Sequence, residues 1–330
     1  MAWTPQLKNG IWLPQLGWAL DATKSVPAAI VSHAHSDHIG RHRELVCSPP
    51  TARFIRARLP GRRIEHVLHF GQAEPLTMDC AVTLHPAGHI LGSSMVELRG
   101  EPGVLLYTGD FKLRPGLAAE ACAAPRADTL IMETTFGLPR YEFPPDAEVI
   151  ADIIRFCQEA VTDGAVPVLH CYSLGKSQEV LQALAPAGLP IMLHAQTLRM
   201  TRIYEACGQV FPPFREFDAD AVGGHIVICP PPHNRAGLTG RIPARRTAMI
   251  SGWAIDSGAR YRYGCDAAFP LSDHADHPDL LRLVELVQPR RIFTVHGYAV
   301  EFARTLRSRG WDAVALGREN QLELTLSGRG

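Results

Sequence analysis

The segment His33-Ala34-His35-Ser36-Asp37-His38 packs three imidazoles and a carboxylate into one short stretch, and this restricts the folds open to the chain. Nitrogen and oxygen donors at this density serve to hold metal, and such donors must be mounted on something stiff. The apolar run Ala28-Ala29-Ile30-Val31 just before them reads as a buried strand, so the donors sit in the loop at its end. On extended backbone His33 and His35 point the same way and share one metal. Asp37 and His38 lie past the turn and reach a second. The plainer reading, a histidine-rich surface loop, has to be weighed against the other donors along the chain.

Three further donors each close an expected strand. His89 follows the run Ala81 to Leu84, Asp110 follows Gly103-Val104-Leu105-Leu106, and His296 ends Arg291-Ile292-Phe293-Thr294-Val295. Taken singly, each is more simply a hydrogen-bonded core or surface residue. Together they complete two coordination shells. His33, His35 and His89 are assigned to one divalent ion and Asp37, His38 and His296 to the other. Asp110 bridges, because a carboxylate offers one oxygen to each. Two divalent ions are therefore expected, zinc by preference, with manganese also accepted by such donors.

His-x-His-x-Asp-His, then Gly88-His89, then Gly109-Asp110 after a strand resembles the metallo-β-lactamase fold. The resemblance implies an α/β protein, an αββα sandwich of two sheets with flanking helices and the site along one edge. Met132-Glu133-Thr134-Thr135-Phe136-Gly137 is similar to the acidic motif of the β-CASP nucleases. Ser272-Asp273-His274-Ala275-Asp276 is similar to their catalytic histidine motif, and Val295-His296-Gly297 to their last motif. Gly252-Trp253-Ala254 and the run from Val295 to Ala303 look most like the bacterial exonucleases associated with DNA ligase. The resemblance thus implies a DNA exonuclease in DNA repair, acting on single-stranded or end-containing DNA in functional association with a ligase and a helicase. An RNA exonuclease or endonuclease is the alternative. DNA-directed eukaryotic members are expected to lack the final histidine and RNA-directed members to keep it, yet the ligase-associated group also carries it, so His296 does not name the polymer. A small-molecule ester or thioester hydrolase on the same fold is a second alternative, and it needs neither an inserted module nor His274 with Glu133.

Phosphodiester hydrolysis requires a nucleophile at neutral pH, neutralisation of charge at phosphorus and a proton for the leaving oxygen. A hydroxide shared by two ions, with Asp37 and Asp110 among their ligands, is expected to supply the first two. By resemblance, His274 is the general acid, oriented by Glu133. The plainer reading of His274 is a helix-start residue before Asp279 to Val287. By the same resemblance Asp21, after Trp18-Ala19-Leu20, orients a metal-bound histidine; a turn residue before Thr23 is the competing reading.

The chain of 330 residues, 46% hydrophobic and 20% charged, is expected to be globular and large enough for one elaborated domain or two. It has no apolar run long enough for a membrane span and no leader-like start, so no membrane partner and a cytoplasmic location are expected. Eight scattered cysteines without a C-x-x-C pair suggest reduced thiols. A net charge of zero makes distribution the better guide. Seven arginines lie between Arg41 and Arg63, against the single acid Glu44, and Arg41 and Arg43 begin just after the metal motif. Arg235, Arg241, Arg245 and Arg246 form a second cluster. Both clusters suit phosphate contacts, but the chain's 29 arginines against 4 lysines also point to a coding bias that fills solvated faces.

Three segments are expected: residues 1-138 as the first part of the metallo-β-lactamase domain, 139-262 as a β-CASP-like α/β insertion, and 263-330 as the second part. The insertion alternates helices (Asp146 to Thr162, Lys176 to Leu184) with strands (Val166 to Leu169, Ile191 to Leu193, Val227 to Cys229, Ala248 to Ile250). Ser173 and Lys176 at a helix start, and Ser251 after a strand, are candidate substrate contacts, with helix capping the competing role. The tryptophans Trp3, Trp12 and Trp18 either stack on bases or close a core.

Overall fold

The computed structural model describes residues 2–231, 240, 242 and 244–317. It divides into two compact units, one of Met1–Pro115, Glu120–Glu142 and His274–Gly330, the other of Gly116–Ala119 and Phe143–Asp273.

The first unit is an αββα sandwich. One sheet runs in chain order through Gln6–Lys8, Gly10–Leu13, Trp18–Leu20, Ala28–Ile30, Glu44–Cys47 and Ile64–Val67. The other is ordered Ala313–Ala315, Arg291–Val295, Thr129–Glu133, Gly103–Tyr107, Ser94–Gly100, Cys80–Pro86 and Ala73–Thr77. Side-chain alternation along these strands decides the layers. Leu105, Tyr107, Ile131, Phe293 and Val295 enter a core shared with Ile11, Leu13, Leu20, Ile30 and Val46 of the first sheet. Leu106, Leu130, Met132 and Ile292 face the other way, onto Leu280, Leu283, Phe302 and Leu306 of helices His277–Val287 and Ala299–Ser308. Each such side chain contributes roughly 1.5–3 kcal/mol when fully buried.

Strand direction puts the site on one edge. Gly103–Tyr107, Thr129–Glu133 and Arg291–Val295 are mutually parallel neighbours. Cys80–Pro86 runs the same way, because it is antiparallel to Ser94–Gly100, which is antiparallel to Gly103–Tyr107. Their carboxyl ends therefore lie at a common edge, and His89, Asp110 and His296 follow there, with Glu133 as the last residue of its strand.

In the second unit all pairings among the described residues are parallel, in the order Phe214–Glu216, Ile191–Leu193, Ile226–Cys229, Val166–His170, Arg245–Ile250, Ala267–Phe269. A parallel sheet is covered on both faces. Leu169, Ile226 and Ile228 pack with Val149, Ile153 and Cys157 of helix Asp146–Thr162, while Val166, Val168 and Val227 face a second cluster with Met192 and Ile242.

Three features depart from the sequence reading. Pro49–Arg58 is a helix where strands and loops are expected. Ser48 accepts from the Thr51 amide at 3.3 Å and Pro49 opens the first turn, a capping signal present in the residues themselves. Ala195–Ala206 is also a helix. It buries Thr197, Met200, Thr201 and Tyr204, a helical stripe half made of threonine, which hydrophobic periodicity overlooks. Ala267–Phe269 pairs with Ala248 to Ile250, so the second unit extends to Asp273, past the boundary expected at 262. No described helix is long and apolar enough to cross a membrane.

Five cysteines are buried, and burial pushes the Cys157 and Cys229 thiols up to about 12. Maleimide labelling of the native protein near neutral pH is expected to be fast at no more than Cys122, Cys207 and Cys265, the half-buried three. A mass-spectrometric count of more than three fast labels would contradict this packing.

Candidate metal centre

Asp21 ends the strand Trp18–Leu20 in a left-handed conformation, φ 48°, and its buried carboxylate meets four donors. Oδ1 accepts from the Ser32 amide at 2.7 Å. Oδ2 lies 2.5 Å from Ser32 Oγ, 2.8 Å from His38 Nδ1 and 2.8 Å from the Tyr107 hydroxyl. Ser32 Oγ is in turn 3.0 Å from His33 Nδ1. His33 and His38 thus spend their Nδ1–H on fixed oxygens, which turns both Nε2 atoms inward.

The inward atoms converge. His35 Nδ1 is 3.1 Å from His33 Nε2 and 3.0 Å from His89 Nε2. Asp110 Oδ2 is 3.5 Å from His33 Nε2, 3.8 Å from His89 Nε2 and 3.2 Å from His38 Nε2. Donor atoms of His33, His35, His89 and Asp110 all lie within 4.8 Å of one another. A shared proton can join only one pair of these nitrogens at a time, leaving lone pairs facing lone pairs. That donor set fits a divalent cation. Burial, then the neighbouring His38, holds His33 well below the usual imidazole range, the neutral form a ligand needs. Burial opposes charge on His38 as well, but the Asp110 and Asp21 carboxylates overcome it and hold His38 well above that range. Burial would raise Asp110, yet His38, His274 and His33 hold its carboxyl well below the ordinary value.

The second expected set is more open. Asp37 is 78% exposed, with Oδ2 3.8 Å from His38 Nε2. His296 is exposed, its ring 5.8 Å from that of His38. Its backbone is left-handed, φ 59°, and Gly297 follows at φ 52°. Thr134 Oγ1 pins this turn by donating to the His296 and Val295 carbonyls at 2.6 and 3.1 Å. A Cβ at Gly297 would come within 2.5 Å of the Thr134 carbonyl. At Gly109, φ 53°, a Cβ would come within 2.6 Å of Ser32, so glycine there lets Asp110 approach the histidine loop.

His274 stands beside this centre, its ring 4.6 Å from that of His89. Its Nδ1 is 2.9 Å from Glu133 Oε1. Glu133 is buried and also accepts from the Phe111 amide at 3.0 Å, the Thr135 amide at 3.2 Å and Thr135 Oγ1 at 2.5 Å. The helix-start role belongs to Asp276, which caps through the Asp279 amide at 3.1 Å and pairs with Arg114.

The substrate candidates are placed less favourably. Lys176 is 1% exposed, with Nζ 3.6 Å from Asp273 Oδ1. Ser173 gives its carbonyl to Gln178 at 3.1 Å, and Ser251 Oγ accepts from the Trp253 amide at 3.3 Å. Arg41 binds the Pro60 carbonyl at 2.9 Å, Arg56 and Arg63 pair with Glu65, and Arg58 holds the Ala34 carbonyl of the metal loop at 2.7 Å. Arg43 is exposed. Arg246 pairs with Asp163, and Arg235 and Arg241 lie outside the described residues. Trp3 and Trp18 are buried in the sandwich core, while Trp12 is half-buried under Lys8. Ser32, Tyr107 and Thr135, which support the site, carry no metal-ligand signal in the sequence.

Fold and donor set define a protein of the metallo-β-lactamase fold with a cluster of ligands fit for a divalent cation. Residues 267–316 match the family described as the Zn-dependent metallo-hydrolase RNA specificity domain. A probable DNA ligase of Opitutus terrae is 60% identical over 98% of this chain and 32% of its own length. The 5' exonuclease Apollo of Gallus gallus is 32% identical over 57% of this chain and 42% of its own. RNase aCSPSF2 of Saccharolobus solfataricus is 29% identical over 50% and 39%. The chain thus spans about a third to two fifths of the length of these relatives. It is similar to the β-CASP nucleases of the metallo-β-lactamase fold.

Two substitutions test this geometry. Asp21→Asn, which removes the anion that orients His38 and Ser32, is expected to lower zinc affinity about 10–100-fold, read by competition with a chelating dye. Gly297→Ala is expected to cost about 1–3 kcal/mol in thermal unfolding and to displace His296. Unchanged values in either variant would contradict the roles given to these residues.

Proposed function

We propose that the chain is a dinuclear-metal phosphodiesterase acting on nucleic acid, and that it degrades DNA from an end during repair. The observation that carries this reading is the position of Asp110 Oδ2, within 3.8 Å of nitrogens from His33, His89 and His38, beside His274 held by Glu133. In this proposal His33, His35 and His89 would hold one ion and Asp37, His38 and His296 the other, with Asp110 as a shared ligand. Zinc is the proposed metal, with manganese its competitor. Such ions supply water activation near neutral pH and neutralise charge at phosphorus.

The chain's own groups do the remaining work. Asp21 and Ser32 hold His33 and His38 so that each turns Nε2 inward. Glu133 takes His274 Nδ1–H, which leaves His274 Nε2 to carry the proton for the departing oxygen. A plain ester hydrolase would not require this buried glutamate and histidine pair, which favours a poor leaving group such as a nucleotide hydroxyl.

The DNA assignment draws on the Opitutus relative, named a probable DNA ligase, in which the corresponding segment is one third of a longer chain. Trimming ends before they are joined is the activity such an arrangement suits, in association with a ligase and with a helicase that exposes single strands. The RNA reading is favoured by the RNA specificity description of the family matched at 267–316 and by the archaeal relative named an RNase. Ser173, Lys176, Ser251, Arg41 and Arg43 remain proposed substrate contacts, with Arg41 and Arg43 exposed and Lys176 buried.

End-labelled single-stranded DNA and RNA of one sequence, incubated with zinc or manganese, separate the readings. Stepwise shortening of DNA from one end is expected, abolished in Asp37→Ala. In His274→Ala, kcat is expected to fall about 10²–10⁴-fold with metal content unchanged. Cleavage of RNA alone would move the assignment to RNA, and cleavage of neither would end the nucleic-acid reading.

A further inference from the structure

Arg140 lies at the exposed surface of the first unit, held in an unusual way for a solvated arginine. Its Nη2 donates to the Tyr141 hydroxyl at 2.7 Å and to the Tyr298 hydroxyl at 3.3 Å, and those hydroxyls are 2.9 Å apart. The guanidinium carbon is 4.8 Å from the centre of the Tyr141 ring and 5.9 Å from that of Tyr298. Tyr141 is 1% exposed and Tyr298 half-buried, so both clamps are anchored. The Tyr141 carbonyl accepts from the His277 amide at 2.9 Å, and the Tyr298 amide donates to the Thr134 carbonyl at 2.9 Å.

Surface arginines normally sample many rotamers, and fixing one has an entropic cost. Here one nitrogen and the ring stacking do the fixing. The Nε–H and the Nη1 donors point to no partner among the described residues, and no described carboxylate forms an ion pair with Arg140. The result is an oriented, uncompensated guanidinium whose Nε–H and Nη1–H remain to donate to a phosphate oxygen.

Its place ties it to the metal centre. Tyr298 is two residues beyond His296, on the same Thr134-pinned turn. Tyr141 packs edge-on to Phe136 with centroids 5.2 Å apart, and Phe136 meets the His274 ring at 6.0 Å. The cluster is therefore joined to His296 by one pinned turn and to His274 through Phe136.

We propose that Arg140, clamped by Tyr141 and Tyr298, binds a backbone phosphate of the nucleic-acid strand next to the scissile bond and positions that strand over the metal centre. The contact reads charge and not sugar, so it serves DNA and RNA alike. It rests on the proposed nucleic-acid function.

The test is fluorescence anisotropy of labelled single-stranded DNA and RNA oligonucleotides with the full chain, across a salt series. Arg140→Ala is expected to weaken both roughly three- to tenfold, and to reduce the slope of log affinity against log salt by about 0.7, the share of one phosphate on a single strand. Arg140→Lys should recover the slope but only part of the affinity, because a lysine lacks the planar group that the tyrosines hold by stacking and hydrogen bonds. Tyr298→Phe, which keeps the ring and loses one hydroxyl, should weaken binding less than Arg140→Ala. Unchanged affinity and slope in Arg140→Ala, with an unaltered melting curve, would overturn the contact while leaving the nucleic-acid reading intact. Full rescue by lysine would overturn the role of the clamp, and a wild-type chain that binds neither polymer would remove the reading on which the proposal rests.

Discussion

The buried carboxylate of Asp21 is the constraint on which the metal centre depends. A carboxylate out of water is costly unless every lone pair has a donor. Here the donors come from the Ser32 amide and hydroxyl, His38 and Tyr107. Ser32 and His38 flank the first strand-end loop, whereas Tyr107 ends a strand of the opposite sheet. One side chain therefore links the two layers of the sandwich directly beneath the histidines. Burial and the Asp21 carboxylate push the Tyr107 phenol well above its ordinary value, which keeps it a donor. The left-handed backbone at Asp21 is the strain this position tolerates to aim the carboxylate inward.

From that anchor the site is built as a graded environment. Around His33, His89 and Asp110 water is excluded, and the electrostatics are those of close charges and lone pairs in a low dielectric. Toward Asp37 and His296 the same edge opens to solvent. Glu133 repeats the logic of Asp21 on the neighbouring strand end, as a second buried carboxylate fully supplied with donors and presenting one oxygen to a histidine. The two carboxylates differ in what they orient. Asp21 turns His38 inward to the donor cluster, and Glu133 turns His274 alongside it.

The legibility of the sequence varies with the kind of signal. The strands that carry the donors announce themselves through unbroken apolar runs, and the donors at their ends are visible because histidine and aspartate are rare in such places. Helix Ala195–Ala206 is hidden because its inward face is half threonine. The arginine-rich stretch from Arg41 to Arg63 reads like a phosphate-binding surface. Within it, Arg56, Arg58 and Arg63 are engaged inside the protein, partly by Glu65, which lies just beyond the end of that stretch.

By itself the sequence determined the chemistry of the centre and the order of the strands that carry it, because periodicity, turn residues and donor types are local properties. Which lone pairs face one another, and which donors lie open to solvent, depended on tertiary structure. His33 Nε2 and Asp110 Oδ2 come within 3.5 Å although 77 residues separate them in the chain, because strand ends of the two sheets meet there, where the Ser94 amide donates to the Ser32 carbonyl at 2.9 Å. The pairing of Asp21 with Tyr107 and the tyrosine clamp on Arg140 arose in the same way. Each is a contact between groups whose individual residue types carry no trace of the partner, and only the packing of two sheets and their helices decides who meets whom.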